Sequence, residues 1–134
     1  MKYILDTHVW LWSLIEPREL SPEVVRALRD PANYIWLSPV SIWETLLLAE
    51  RGRLDLRPTP QSWIEEAQRV LPTRDAPVTR EVAVESRRLD LSHEDPADRF
   101  IAATAVVYGL TLVTADTRLL GSRRYQTLAN RKRR

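Results

Sequence analysis

An α/β fold, with a small and mainly parallel β-sheet covered by helices on both faces, is predicted by two features of the sequence. Short apolar runs rich in β-branched and aromatic residues, typical of buried strands, occur at residues 3–5, 34–37 and 112–114. Segments with helical patterns lie between or beside these runs, at residues 22–29, 40–51, 61–71, 80–89 and 96–108. Short strands that alternate with longer helices indicate βαβ units and therefore a parallel sheet.

Weaker patterns complete the predicted fold. Two further strands are expected near residues 76–78 and 125–128, and a helix is expected to begin near His8. Gly52 and Gly109 stand where the second and last of the long helices should end. A chain of 134 residues can bury one core but not two independent ones, so we expect a single domain over residues 1–130.

Composition excludes several classes of site. The sequence contains no cysteine, which rules out disulfides and thiolate zinc sites and suits a reducing compartment, for which we expect the cytoplasm. The uncharged run at residues 9–15 is too short to cross a bilayer, so no membrane partner is expected. The net charge of +2 includes four basic residues in a tail at 131–134, so the remaining chain is mildly acidic.

Acidic side chains follow or adjoin the predicted strand ends. Asp6 comes directly after the first strand, and Asp116 follows the strand at residues 112–114. Glu44 lies on the early turns of the helix after the second strand, and Asp98 lies in the first turn of the helix that starts at residue 96. Neither Glu44 nor Asp98 has a basic residue three or four positions away that would pair with it.

Each acid also has an ordinary structural interpretation. Asp6 and Asp116 are placed to cap the helices that follow them, and Asp95 before Pro96 is placed to cap the helix that carries Asp98. Glu44 alone would pass for a surface residue. Acids are common at helix starts because they complement the helix dipole, so no single position decides between capping and function.

The convergence of the four acids favours a functional interpretation. If the strands are parallel, Asp6, Glu44, Asp98 and Asp116 gather at one edge of the sheet, where ligands bind in open α/β folds. Carboxylates packed together repel one another unless a cation or shared protons neutralise them. Oxygen ligands without cysteine favour a hard cation such as Mg²⁺ or Mn²⁺ over zinc.

The residues that carry these acids resemble the PIN domain, and specifically the VapC-type toxins of toxin–antitoxin pairs. The matching segments span nearly the whole chain, and the Asp-Pro-Ala-Asp-Arg segment before an alanine-rich helix is the most specific of them. They are MKYILDTH around Asp6, SIWE ending at Glu44, HEDPADRFIAATA from His93, and LVTAD ending at Asp116.

The resemblance implies a three-layer α/β/α sandwich and a Mg²⁺- or Mn²⁺-dependent endoribonuclease with one or two ions in each site. It further implies RNA as the substrate, a homodimer, and neutralisation by a cognate VapB-type antitoxin. The expected cleavage products carry a 5′-phosphate and a 3′-hydroxyl. A PIN-fold module that binds RNA or antitoxin without turnover is the alternative.

The resemblance also assigns roles to individual residues. Asp6 and Asp98 are the main expected metal ligands, Asp116 is a ligand or positions water, and Glu44 is a ligand or a base. Thr114 matches a position at which the family often has Ser or Thr, and it is expected to orient a carboxylate or water. Asp95 is expected to cap a helix or to lie outside the ligand shell.

Residues outside the acidic set include candidates for contacts with RNA. Arginines at positions 99, 118, 123 and 124 are candidates for gripping phosphate. Trp10, Trp12 and Trp43 are able to stack on bases if exposed, but core packing is the expected role because Trp10 and Trp43 stand among apolar residues. His8 is left out of the catalytic set, because a histidine near a helix start is more often structural.

Overall fold

A computed structural model describes residues 1–131 and contains five strands and six α-helices over that part of the chain. The strands are β1 (Lys2–Leu5), β2 (Tyr34–Leu37), β3 (Arg74–Asp75), β4 (Thr111–Thr114) and β5 (Thr127–Ala129). The helices are α1 (Thr7–Ile15), α2 (Pro22–Arg29), α3 (Pro39–Glu50), α4 (Pro60–Val70), α5 (Arg80–Ser86) and α6 (Pro96–Tyr108). Two short 3-10 helices cover Pro17–Glu19 and Thr117–Leu119.

The five strands form one sheet in the order β3-β2-β1-β4-β5, and each neighbouring pair is parallel. Ile4 of β1 lies between Trp36 of β2 and Leu112 of β4, which fixes the register at the centre of the sheet. After β1, the chain adds β2 and β3 on one side of β1. It then crosses over and adds β4 and β5 on the other side of β1. This reversal makes the carboxyl ends of β1 and β4 the place where a crevice is expected.

Successive side chains along the strands pack alternately into two hydrophobic cores, one on each face of the sheet. Ile4 and Leu112 face α5 and α6, whereas Leu5 and Val113 face a second core that includes residues of α1, α2 and α4. The period of two along each strand therefore separates two helical layers across the sheet. The predicted three-layer α/β/α architecture is confirmed.

The predicted boundaries differ most from the structure at three elements. The strand expected near residues 76–78 is instead Arg74–Asp75. The ladder stops after the Ala76 N–H donates to the Leu37 carbonyl, because β2 itself ends at Leu37. Helix α5 ends at Ser86 rather than at residue 89, and the side chain of Arg99 donates to the Ser86 carbonyl. The last expected strand begins two residues later than predicted.

Local sequence signals set the helix starts that matter for the site. Asp6 caps α1, Ser38 caps α3 and Asp95 caps α6, each by accepting a hydrogen bond from a backbone N–H in the first turn. Gly109 ends α6 in the left-handed conformation, as its position predicted. No helix within residues 1–131 is both long and apolar enough to span a membrane. Residues 132–134 of the predicted basic tail lie outside the described residues.

Candidate functional site

The site lies at the carboxyl edge of the sheet, beyond the central strands. Asp6 directly follows β1, and its N–H donates to the carbonyl of Val113 in β4 at 3.0 Å. Asp116 lies two residues beyond β4, and Asp98 enters from the first turn of α6. The chain reversal between β1 and β4 thus brings acids from separate parts of the sequence to one rim.

Asp6 is the most buried of the four predicted acids, with 5% of its surface exposed. One carboxylate oxygen accepts a hydrogen bond from the Val9 N–H at 2.8 Å, and the other accepts one from the Thr114 hydroxyl. Loss of water on burial outweighs these hydrogen bonds and raises the pKa of Asp6 to about 6. The capping and functional interpretations of Asp6 are therefore compatible, since each carboxylate oxygen has a second lone pair.

Thr114 connects two of the predicted acids. Its fully buried hydroxyl donates to Asp6 and accepts a hydrogen bond from the backbone N–H of Asp116 at 3.0 Å. A single hydroxyl thereby sets the position of Asp116 relative to the Asp6 carboxylate. Thr114 lies where an orienting role requires it, behind the acids at the end of β4.

Asp98 faces the site, and Asp95 supports its backbone. The Oδ1 atom of Asp95 accepts a hydrogen bond from the Asp98 N–H at 3.2 Å, and Asp95 itself is exposed. Burial, together with the negative charges of Asp95 and Asp116, raises the pKa of Asp98. Asp95 is thus a helix cap, which is one of the two roles expected for it.

Asp116 differs from the other acids because it has a cationic partner. Arg118 donates from Nε to Oδ1 at 3.0 Å and from Nη2 to Oδ2 at 2.9 Å. These hydrogen bonds lower the pKa of Asp116, whose side chain is 23% exposed. Asp116 also caps the short 3-10 helix at Thr117–Leu119, as expected.

Glu44 is half-buried on α3, and its Oε1 atom is buried with no hydrogen-bond partner among residues 1–131. Desolvation raises the pKa of Glu44 against the lowering effect of the nearby Thr7 hydroxyl, and the negative charges of Asp98 and Asp95 add to the rise. A buried carboxylate oxygen without a partner is costly. This atom is therefore available to a group outside the protein.

A histidine that the sequence analysis did not assign lies inside the acidic cluster. His93 Nε2 lies 2.7 Å from Asp98 Oδ2 and 3.9 Å from Asp116 Oδ2, and its side chain is 7% exposed. Atoms of His93, Asp98 and Asp116 able to bind metal all lie within 4.8 Å of one another. The only signal for His93 in the sequence was its place five residues before Asp98 in the most specific motif.

The residues at this rim fit a divalent cation. They offer carboxylate oxygens, which Mg²⁺ and Mn²⁺ prefer. Three of the four acids have raised pKa values because they are desolvated and close to other acids, and a cation would remove that cost. The Oε1 atom of Glu44, which has no hydrogen-bond partner within residues 1–131, is also able to bind a cation. Asp6 and Glu44 are outside the 4.8 Å group of the described residues.

The arginines that were candidates for contacts with RNA differ in burial and in their ion pairs. Arg99 is 4% exposed and donates to three backbone carbonyls, so its expected role in gripping phosphate is wrong. Arg124 forms an ion pair with Glu85, whereas Arg118 lies at the rim with Asp116. Their guanidinium groups are therefore not equally available to a ligand.

The tryptophans and the second histidine also differ in exposure. Trp10 is 2% exposed and packs in the core as expected, but Trp43 is 59% exposed, so its expected role in the core is wrong. Trp43 directly precedes Glu44 and lies on the outer surface of α3. His8 is exposed, and its ring lies 6.0 Å from that of Trp12.

Comparisons with known proteins agree with this geometry. The family model described as PIN domain matches residues 3–122. Ribonuclease VapC22 of Mycobacterium tuberculosis (strain ATCC 25618 / H37Rv) is 37% identical over 122 residues, which cover 90% of this chain and 91% of that protein.

Solved structures also share this fold. One is a chain from the structure of VapBC2 from Rickettsia felis, which is bound to a DNA fragment from the VapBC2 promoter. It matches with a TM-score of 0.74 and 16% identity. A chain of VapBC-5 from Mycobacterium tuberculosis matches with a TM-score of 0.64 and 19% identity. Each match covers 96% of this chain and 98% of the other. The sheet, the acidic rim and these similarities lead to one conclusion: the chain belongs to the PIN domain family.

Proposed function

We propose that this chain is a metal-dependent endoribonuclease, the toxin of a toxin–antitoxin pair, and that residues 1–130 form its single PIN domain. The proposal is supported by contacts among the acids: atoms of Asp98 and Asp116 lie within 4.8 Å of each other, Thr114 links Asp6 to Asp116, and the charge of Asp98 acts on Asp6 and Glu44. The identity of 37% to a relative named as a ribonuclease supports RNA as the substrate.

Asp6, Glu44, Asp98 and Asp116 would hold one or two Mg²⁺ or Mn²⁺ ions. A bound divalent ion supplies a more acidic water and stabilises negative charge on the phosphate and the leaving oxygen. The carboxylates place that positive charge where a phosphodiester, itself anionic, has to approach. Without it, the acidic rim would repel the substrate.

The chain's own groups then have separate tasks. Asp6 and Asp98 are the main ligands, because both are desolvated and, within residues 1–131, neither forms an ion pair with a lysine or arginine. Asp116 acts as ligand or holds the attacking water, and Glu44 acts as ligand or accepts a proton from that water at its free Oε1. Thr114 holds Asp6 and Asp116 in fixed positions relative to each other through its two hydrogen bonds. Asp95 caps the first turn of α6.

RNA contacts are proposed for the exposed groups around this rim. Arg118 lies beside Asp116, and its charge is available to a phosphate once Asp116 binds metal. Trp43 offers an exposed aromatic face next to Glu44, and such faces stack on unpaired bases. We expect cleavage in single-stranded or loop segments, since bases have to be unstacked to reach such a surface.

An antitoxin partner of the VapB type is proposed from the relatives and from two apolar clefts beside α1. One cleft of about 400 Å³ includes Trp12, Ile15 and Leu48 in its lining, and one of about 390 Å³ includes Leu14 and Trp63. The apolar side chains in these clefts would be covered by a partner protein. We expect Ile15→Glu to prevent neutralisation by the cognate antitoxin while RNA cleavage continues.

The nuclease proposal is tested by incubating the purified chain, freed of any partner, with structured RNA in Mg²⁺ or Mn²⁺. The expected result is cleavage that EDTA and Asp98→Asn abolish, with 5′-phosphate and 3′-hydroxyl ends. Asp55→Asn is the matched control, because Asp55 is an exposed acid paired with Arg57 in a remote loop. Metal binding without cleavage of any RNA would instead favour a module that binds RNA or antitoxin without turnover.

A further inference from the structure

His93 is held against the candidate metal ligands, although no role was assigned to it from the sequence. We propose that His93 is a positioning residue that orients the Asp98 carboxylate for the divalent metal. The inference rests on the proposed function, since it concerns the same site. His93 would then be a non-acidic part of the site that acts through the Asp98 carboxylate.

The contact is short and sheltered. His93 Nε2 lies 2.7 Å from Asp98 Oδ2, within the range of a charge-assisted hydrogen bond. The His93 side chain is 7% exposed and that of Asp98 is 21% exposed, so water competes little with this bond. With Asp98 ionised, Nε2 carries the proton and donates it to Oδ2.

The backbone of His93 is fixed independently of its ring. Arg99 Nη1 donates to the carbonyls of His93 at 2.9 Å and Leu91 at 3.0 Å, and Arg99 Nε donates to that of Ser86 at 2.8 Å. Arg99 is buried on α6, one residue after Asp98. The same helix therefore presents the Asp98 carboxylate and anchors the loop that delivers the histidine to it.

Asp98 needs such a restraint because its terminal torsion is broad. A carboxylate rotates readily about its last bond unless a hydrogen bond stops it. The bond from His93 occupies Oδ2 and leaves Oδ1 free for the cation. Outer partners of this kind commonly orient metal ligands, and removing them typically weakens metal binding by about 10–100-fold.

The same geometry argues that His93 is not itself a ligand. Its Nε2 is committed to Asp98 Oδ2 and lies 3.9 Å from Asp116 Oδ2. A ring nitrogen that carries a proton has no lone pair for a metal. The ligand set therefore remains all oxygen, in keeping with Mg²⁺ and Mn²⁺.

The test measures Mn²⁺ binding to the full-length chain by electron paramagnetic resonance and calorimetry, without RNA. We expect His93→Ala and His93→Leu to weaken binding by about 10–100-fold and His93→Gln, whose amide also donates, to restore most of it. His8→Ala is the matched control, because the only other histidine is exposed and outside the cluster. Saturating Mn²⁺ should largely restore cleavage by His93→Leu.

Thermal unfolding in EDTA establishes that each variant is folded, and His93→Leu, which keeps apolar volume, carries the test if His93→Ala unfolds. Unchanged Mn²⁺ affinity in the folded variants, or no Mn²⁺ binding by the parent chain, would overturn the inference. So would nitrogen coupling to Mn²⁺ that disappears in His93→Gln, because it would make His93 a ligand. Binding that depends on His93 without RNA cleavage would refute only the nuclease.

Discussion

Replacing Asp6 with Asn should make the metal-free protein more stable while removing its ability to hold metal. Asp6 is 5% exposed, and its burial raises the pKa to about 6 from the ordinary value of 3.8. The folded chain therefore holds this proton to a higher pH than the unfolded chain does. The stability that the protonated side chain contributes is complete below pH 3.8 and is lost as the pH rises through about 6.

The magnitude follows from the pKa difference and the hydrogen bonds. A pKa of about 6 in place of 3.8 corresponds to about 3 kcal/mol lost above pH 6, when Asp6 is charged. The neutral amide of the Asp6→Asn variant avoids this cost, and its side-chain oxygen still caps the Val9 N–H. The Thr114 hydroxyl loses a carboxylate acceptor, which costs roughly 1 kcal/mol. We expect a net gain of about 2 kcal/mol at pH 7.5.

Urea unfolding in EDTA at pH 4, 5, 6 and 7.5 measures the effect. The advantage of Asp6→Asn over the parent chain should grow between pH 4 and 6 and then level off. Added Mn²⁺ should stabilise the parent chain by binding its folded state and should stabilise the variant much less. Two results would refute the assignment of Asp6 as a destabilising buried charge. One is a variant that is less stable than the parent at pH 7.5, and the other is a difference in free energy of unfolding that does not change with pH.

Three further substitutions test other parts of the structure. Arg99→Lys, which cannot reproduce three hydrogen bonds to backbone carbonyls from one planar group, should lower the free energy of unfolding by roughly 2–4 kcal/mol in urea titrations. Arg124→Ala should lower the free energy of unfolding, because it leaves the buried Glu85 carboxylate unpaired; Arg124→Ala with Glu85→Gln should recover most of that loss. Trp43→Glu should leave the monomer's stability within about 0.5 kcal/mol, since Trp43 is 59% exposed. Light scattering should show weaker dimerisation if the outer surface of α3 forms the homodimer that the family resemblance implies, instead of the proposed RNA contact. An unchanged dimer would remove Trp43 from that interface.

Much of the candidate site was predictable because it depends on local rules. Parallel strands end at one rim, so residues that follow strands meet there, and Asp6 and Asp116 could be placed from the strand patterns alone. Asp95 before Pro96 is a start signal for α6, and that start puts Asp98 in the first turn. The roles of these acids as metal ligands stay predictions.

Errors arose where an outcome depended on packing between distant elements. Arg99 and Arg118 look alike in sequence, yet the first is buried under the loop it anchors and the second lies at the rim. Trp43 stands among apolar residues, but its side of α3 is not covered by the described chain. Apolar neighbours in sequence do not reveal which side of a helix another layer will cover.

The sequence by itself determined the α/β architecture, the principal strands and helices, the helix caps and the four acids, because periodicity and capping act over a few residues. Tertiary structure decided that Glu44 Oε1 is buried without a partner among residues 1–131 and that His93 contacts Asp98. It also decided that Arg99 serves the backbone instead of a ligand. These outcomes depend on which side chains the packed layers bring together and shield from water, and no pattern within one element encodes that.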